Sequence, residues 1–160
     1  MTRIQFIAFD GRTTAPLEDP SLAQRSLRAL GIESGRWALR PDAVSSLPQI
    51  TYARELLALQ HRFGSARVER ARQRTGRVPS PEPTGEHDHA EAELRVVLEG
   101  RLHYVLRTPG AWTSLRLDAG DWVLLPAGLP HTVVAVGEPR LDMLRLHSAP
   151  SSEQVLALAA

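Results

Sequence analysis

One stretch, GEHDHAEAELRVVLEG from Gly85 to Gly100, constrains the fold of this chain most strongly. Two histidines, a glutamate and an arginine occupy odd positions: His87, His89, Glu93 and Arg95. Its aliphatic residues share even positions: Leu94, Val96 and Leu98. Because alternate side chains of a β-strand point to opposite faces, an extended conformation separates the two sets. A strand with a polar inner face and an apolar outer face is typical of a small barrel that holds a ligand.

The polar face of this strand has the composition of a metal site. Two neutral imidazoles and a carboxylate suit a divalent first-row metal, and a neighbouring arginine suits an anionic ligand. Glu91 has the same parity as Glu93, so parity alone leaves it as a rival carboxylate. Two histidines separated by one residue also occur on surface strands without a metal, so a second motif is needed.

A second motif lies downstream, where the chain runs GDWVLLPAGLPH from Gly120 to His131. Pro126 and Gly128 favour a tight corner before the next strand. Such a corner would bring the imidazole of His131 to the site formed by the first motif.

Together the two motifs resemble those of the cupin superfamily, whose first motif is HxH, three or four residues, Glu, six residues and Gly. Within cupins the chain is most similar to the acireductone dioxygenase family. HDHAEAELRVVLEG resembles that family's HxHxxxEhRhhhxG segment, in which h is apolar. The run from Gly120 to His131 resembles its GDxhxhPAxxxH, and LDMLRL places Arg145 at the family's second arginine. The resemblance covers most of the chain, strongly after Gly85 and loosely before it.

This resemblance implies a mainly β fold, the cupin double-stranded β-helix or jelly-roll barrel, with a few peripheral helices. It also implies one Fe(II) or Ni(II) ion per chain, held by His87, His89, Glu93 and His131, and it selects Glu93 over Glu91. Three His and one Glu leave about two positions open on an octahedral ion, whereas structural zinc prefers a closed tetrahedral set. Arg95 and Arg145 would stabilise the negative charge of the substrate.

The implied reaction is cleavage of acireductone, 1,2-dihydroxy-5-(methylthio)pent-1-en-3-one, by O2 in methionine salvage. The iron form of the family yields formate and 4-methylthio-2-oxobutanoate, the methionine precursor. The nickel form yields carbon monoxide, formate and 3-methylthiopropanoate. The implied partners are therefore a small-molecule substrate and O2.

Two departures from the family pattern bear on specificity. Thr132 and Val133 follow His131 where the family commonly has Trp-Phe, and Pro83 to Glu86 lack a Phe often found there. The loss of aromatic walls predicts a wider pocket, which would admit another enediol or a related reaction on another 1,2-dicarbonyl compound. Two other readings therefore stay open: a cupin dioxygenase or isomerase acting on such a compound, and a non-catalytic cupin that binds a small molecule.

Composition excludes several other kinds of chemistry. The chain has no cysteine, and all 19 basic residues are arginine. Thiolate ligands, disulfides and lysine nucleophiles are thereby excluded. The net charge of +1 favours neither nucleic acid nor a membrane surface, and the sequence has no apolar run of membrane-spanning length. We therefore expect a cytoplasmic monomer that binds neither nucleic acid nor membranes.

The 160 residues are expected to form one cupin domain, with a helical amino-terminal part (1–80) packed on a barrel that carries the motifs (81–147). Strand 3–9, a helix between Pro20 and Gly31 and a helix from about 46 to Phe63 are predicted in the first part. Trp37 is expected to pack in a core, and the arginine run 67–77 to form a solvated helix or loop. The segment 78–86 should approach the site, and the tail 151–160 should form a short helix. His61 is expected to be a solvated or helix-capping histidine, and His103 and His147 are expected to be structural, with a pocket-lining role left open for His147.

Overall fold

Strands dominate the computed structural model, which describes residues 2–40, 47–74, 85–134 and 140–148. The first part of the chain contains β1 (Arg3–Ala8), α1 (Pro20–Ala29), β2 (Glu33–Arg36), α2 (Pro48–Thr51), α3 (Ala53–Phe63) and β3 (Ser65–Arg74). The second part contains β4 (Glu93–Glu99), β5 (Arg101–Thr108), β6 (Ala111–Asp118), β7 (Asp121–Leu125), β8 (His131–Val134) and β9 (Arg140–Ser148). The predicted helix in the tail, 151–160, and most of the predicted approach segment, 78–86, lie outside the described residues.

The strands form two antiparallel sheets. One sheet has the order β1-β6-β5-β8 and the other the order β2-β7-β4-β9-β3. Sequence neighbours such as β4 and β5 thus lie in different sheets, joined at Gly100, where φ is 81°. A Cβ on Gly100 would lie 2.2 Å from the carbonyl oxygen of Arg140, so the connection has room only for glycine.

Alternation along the strands creates two hydrophobic cores. Between the sheets lies a core of buried aliphatic residues that includes Val97, Leu102, Leu117, Leu141 and Met143. On the outer face of the five-stranded sheet lies a second core, which comprises mainly Leu94, Val96, Leu98, Leu144 and Leu146 from strands and Tyr52, Leu56 and Leu59 from the helical region. The even positions of β4 therefore pack outward as predicted. The predicted mainly β barrel with peripheral helices is confirmed.

The helices follow their sequence signals closely. Asp19 caps α1, because its Oδ1 accepts a hydrogen bond from the Leu22 amide at 2.8 Å. The predicted second helix is interrupted at Tyr52, which separates α2 from α3, and the latter ends before Gly64 as expected. None of the helices in the described residues has the length and hydropathy needed to cross a membrane.

Trp37 lies in the outer core as predicted. It is 8% exposed and stacks on Tyr52, with 5.3 Å between the ring centroids. The stack joins the segment after β2 to the start of α3, so the helical region is held against the five-stranded sheet.

The prediction for the arginine run was wrong for residues 67–74, whereas residues 75–77 lie outside the described part of the chain. Residues Ser65–Arg74 form β3, an edge strand paired with β9, rather than a solvated helix or loop. Arg70 donates from Nε to Asp142 Oδ1 at 2.8 Å, and Arg72 lies 3.3 Å from the same carboxylate. The interpretation failed because these arginines pair across the sheet, where they also protect an exposed edge.

Candidate metal centre

Three histidines from two motifs converge at one end of the barrel. The ligand nitrogens of His87, His89 and His131 all lie within 4.8 Å of one another. The ring centroids are 4.5 Å apart for His87 and His131, 5.0 Å for His87 and His89, and 5.3 Å for His89 and His131. The two motifs, more than thirty residues apart in sequence, thus form one cluster as the sequence predicts.

Backbone carbonyls orient two of the three rings. Nδ1 of His87 lies 2.9 Å from the carbonyl oxygen of Gly85, and Nδ1 of His131 lies 2.8 Å from that of Leu129. A carbonyl only accepts, so each Nδ1 carries the proton and each Nε2 keeps its lone pair. Burial lowers the pKa of His131, which further favours the neutral ring.

The main chain sets the distance between the motifs. The amide of His87 donates to the carbonyl of His131 at 2.9 Å, and the amide of His131 donates back to the carbonyl of His87 at 2.8 Å. Gly128 forms the predicted corner with φ at 71°, and its amide donates to the carbonyl of His89 at 2.8 Å. All three histidines are therefore tied together through backbone hydrogen bonds.

Glu93 begins β4 and completes the cluster with a carboxylate whose two oxygens have different surroundings. Oε2 faces the imidazoles, 2.9 Å from Nε2 of His89 and 3.8 Å from Nε2 of His131. Oε1 faces away and accepts a hydrogen bond from Tyr104 at 2.8 Å. Glu91 borders the neighbouring cavity, but in the described part of the chain no ion pair joins it to the three imidazoles.

Tyr104 is a site residue that the sequence analysis missed. It lies on β5, it is 0% exposed, and its ring centroid is 5.7 Å from that of His131. Burial raises the pKa of its hydroxyl well above the ordinary value, so the hydroxyl stays protonated and donates to Glu93. Alternation in LHYVLR places Tyr104 on the inner face with Leu102 and Leu106. A tyrosine hydroxyl on that face needs a polar partner inside the barrel, and this was the signal in the sequence that could have identified it.

The two predicted arginines lie side by side in the five-stranded sheet. Arg95 on β4 is directly opposite Arg145 on β9, which in turn is opposite Glu69 on β3. Arg95 is 2% exposed, and its Nε lies 2.7 Å from Oε1 of Glu93. Burial lowers the pKa of Arg145, and the Glu69 carboxylate partly opposes this shift. Two directly opposed like charges destabilise a sheet, and the carboxylates of Glu93 and Glu69 beside them offset this repulsion.

A cavity of about 420 Å³ lies beside the histidine cluster. Its polar lining comes from His89, Glu91, Glu93, Arg95, Arg145 and His147. Nε2 of His147 is 3.2 Å from Glu69 Oε2, so His147 combines a structural contact with the lining role raised by the sequence.

The departures after His131 do not form a wall of this cavity. Neither Thr132 nor Val133 is among its lining residues. Alternation places Thr132 on the face of β8 opposite to His131, and Val133 packs on the inner core. The predicted widening of the pocket at these two positions is therefore not supported by the described residues, and Pro83 lies outside them.

The donor set fits a divalent metal. Nε2 of His87, of His89 and of His131 are all buried, and none has a hydrogen-bond partner in the described part of the protein. Buried polar atoms without partners are rare, and three that face one another beside a carboxylate suit a cation. The cluster is therefore able to hold a metal ion.

Comparison with known proteins identifies the same family that the two sequence motifs resemble. Residues 84–154 match the model of the ARD/ARD' family. The acireductone dioxygenase of Synechococcus sp. (strain CC9605) is 30% identical over 141 residues, which cover 82% of this chain and 75% of that protein. That of Gluconobacter oxydans (strain 621H) is 30% identical over 156 residues, 91% of this chain and 83% of the relative.

A solved structure extends the likeness to the fold. The acireductone dioxygenase from Bacillus anthracis, solved with a cadmium ion in its active centre, superposes with a TM-score of 0.79 at 15% identity. The superposition covers 93% of this chain and 94% of the other, which establishes a common cupin fold. The chain therefore belongs to the acireductone dioxygenase family and is a metal-dependent dioxygenase with the cupin fold.

Proposed function

We propose that this protein binds one Fe(II) or Ni(II) ion through His87, His89, Glu93 and His131 and cleaves acireductone with O2. The observation that carries the proposal is the set of three buried Nε2 atoms without hydrogen-bond partners in the described residues, two of which lie 2.9 Å and 3.8 Å from Oε2 of Glu93. Four protein ligands leave about two positions of an octahedral ion for a substrate that chelates through two oxygens. When bound, the ion would act as a Lewis acid toward the enediol and bring it together with O2.

Arg95 and Arg145 are proposed to bind the negative charge of the ionised enediol. Arg95 and Arg145 both border the cavity of about 420 Å³ beside the cluster. Because Arg95 is almost fully buried, its charge acts with little screening by water. The two guanidinium groups would orient the substrate and keep it in the anionic form that reacts with oxygen.

The family gives the expected products and setting. With iron we expect 4-methylthio-2-oxobutanoate and formate, and with nickel carbon monoxide, formate and 3-methylthiopropanoate. We place the reaction in methionine salvage in the cytoplasm, and we propose that the chain acts as a monomeric cupin domain without a nucleic-acid or membrane partner. The pairing of β1 and β2 with barrel strands supports one domain.

A second candidate substrate is another small enediol or 1,2-dicarbonyl compound. Glu91 and His147 make part of the cavity wall polar, and Ala90 and Ala92 leave another part small. Such a wall would accept a more polar side chain than the methylthio group. A panel of enediols that differ only in this side chain distinguishes the two candidates.

Oxygen uptake tests the proposal directly. Metal-stripped protein reconstituted with Fe(II) should consume O2 rapidly when freshly generated acireductone is added. His131→Ala should abolish this uptake, whereas His103→Ala, which removes a histidine of the outer surface, should retain it. No uptake by wild-type protein with confirmed iron occupancy would contradict the assignment of substrate, and a panel of other enediols would then decide between the second candidate and a non-catalytic binding protein.

A further inference from the structure

We propose that Tyr104 is a positioning residue that fixes Glu93, so that this carboxylate binds the metal through Oε2 alone. The inference rests on the metal site proposed above and adds a residue that lies outside both histidine motifs. Tyr104 would act through Glu93 and would not touch the ion or the substrate.

The two carboxylate oxygens of Glu93 have different contacts. Oε1 accepts the Tyr104 hydroxyl at 2.8 Å and lies 2.7 Å from Nε of Arg95. Oε2 lies 2.9 Å and 3.8 Å from the Nε2 atoms of His89 and His131. One oxygen is thus engaged by two protein groups, while the other faces the imidazoles.

The tyrosine is itself rigidly held. It is fully buried on β5, where its backbone is opposite Leu115 of β6 on one side and Val133 of β8 on the other. The centroid of the His131 ring and the guanidinium carbon of Arg95 each lie 5.7 Å from the centroid of its ring. A buried phenol hydroxyl requires a partner, and Glu93 is the partner that this position provides.

This arrangement controls how many coordination positions remain. If Oε1 were released, the carboxylate would be able to bind with both oxygens and would occupy one of the two positions left for a chelating substrate. The hydrogen bond also fixes the side-chain orientation of Glu93 before the metal arrives. Groups that hold a metal ligand in this way affect metal affinity strongly.

Metal affinity provides a test that does not depend on turnover. Ni(II) is titrated into metal-free protein by calorimetry for wild type, Tyr104→Phe, Glu93→Gln and the double variant. We expect Tyr104→Phe to raise the Kd about 10- to 100-fold, the usual effect of removing a group that orients a ligand. In the Glu93→Gln background, Tyr104→Phe should raise the Kd for Ni(II) by less than about threefold, because the two residues act as a unit.

Tyr52→Phe is the matched control. Tyr52 is also a buried tyrosine, but it lies in the outer core, and its hydroxyl accepts from the Arg40 amide at 2.9 Å. Its removal should leave the Ni(II) Kd unchanged. A Tyr104→Phe Kd within twofold of wild type, or an equal loss in both Glu93 backgrounds, would overturn the positioning role.

A measurement on wild type keeps the proposal testable if Tyr104→Phe folds poorly. The infrared carboxylate bands of Ni(II)-loaded protein, assigned by difference from Glu93→Gln, should have the wide splitting of a carboxylate bound through one oxygen. A narrow splitting, typical of two-oxygen binding, would refute the inference. Failure of wild type to bind Ni(II) at all would instead refute the proposed metal site.

Discussion

The two ends of the barrel interior are built by the same strands but have opposite chemistry. Near the Gly100 turn, which we call the apolar end, the interior is filled by Val97, Leu102, Leu117 and Leu141, all at most 4% exposed. Arg95 and Glu93, two and four residues before Val97 on the inner face of β4, begin the metal end, where the three imidazoles converge. One strand thus contributes to a dry core and to a polar site within a few residues.

The difference shows where stability and function are located. Side chains of the apolar end are satisfied by one another, since burial and close packing are their only requirement. At the metal end the Nε2 atoms of the histidine cluster have no hydrogen-bond partner among the described residues, and the nearest carboxylate, that of Glu93, would bind the same cation. We therefore expect substitutions at the apolar end to change folding, and substitutions at the metal end to change metal binding and turnover.

The largest effect on stability should come from Leu102→Ala at the apolar end. Leu102 is 0% exposed, and the cavity left by its truncation should lower the free energy of unfolding by about 2–5 kcal/mol. Urea unfolding of the metal-free protein measures this change. Under native conditions the variant should bind Ni(II) with wild-type affinity, and a tenfold weaker affinity would show that the two ends are not separable.

At the metal end, Arg95→Ala should lower turnover of the enediol by about 10²–10³-fold, the usual result of removing a group that stabilises charge in a water-poor site. Steady-state oxygen uptake measures the effect. Arg116→Ala is the control, since Arg116 pairs with Asp118 on the outer side of the barrel, 3.0 Å away. Near-normal turnover by Arg95→Ala would disprove the charge-stabilising role.

The smallest expected effect is on the pH dependence of stability. It arises from His103 on the outer surface and not from the metal end. Burial, with a contribution from the nearby Arg116, lowers the pKa of His103 below its ordinary value of 6.5. The unfolded chain therefore binds more protons at this residue than the native protein does, so the contribution is present above pH 6.5 and is lost as pH falls through the folded pKa.

His103→Gln should consequently show a weaker loss of stability between pH 7 and acid conditions than wild type does. Thermal unfolding of metal-free protein at several pH values measures the difference. An identical pH dependence in both proteins would mean that the Nε2 contact of His103 with Ser114 Oγ, 2.6 Å long, does not depend on a neutral ring.

The positions of the histidines could be predicted because they depend on local rules. Strand alternation placed Glu93 and Arg95 on one face, and the Pro126 to Gly128 corner delivered His131. These features require only a few neighbouring residues. The resemblance to a family then related the two motifs to each other, which neither motif could do alone.

The remaining features depend on contacts between strands that are far apart in sequence. Glu69 lies beside Arg145 and His147 because β3 pairs with β9, and nothing in the arginine run indicates that register. Tyr104 on β5 contacts Glu93 on β4, which belongs to the other sheet. The alternation of residues within β5 does not indicate this contact. The solvated helix or loop expected for the arginine run was wrong for the same reason, since Asp142 lies some seventy residues away from its arginine partners.

The paired backbone hydrogen bonds between His87 and His131 have a consequence for how the metal would enter. They connect the two motifs through main-chain atoms that take no part in metal binding, so they would hold the ligands of both motifs together with or without an ion. Little conformational entropy then remains to be lost on binding, in contrast to small metalloproteins that fold only when the metal arrives. Metal binding should therefore occur at a preorganised site. Which metal is bound should depend on the concentration of each available metal and on its preference for these ligands, and not on its ability to order the chain.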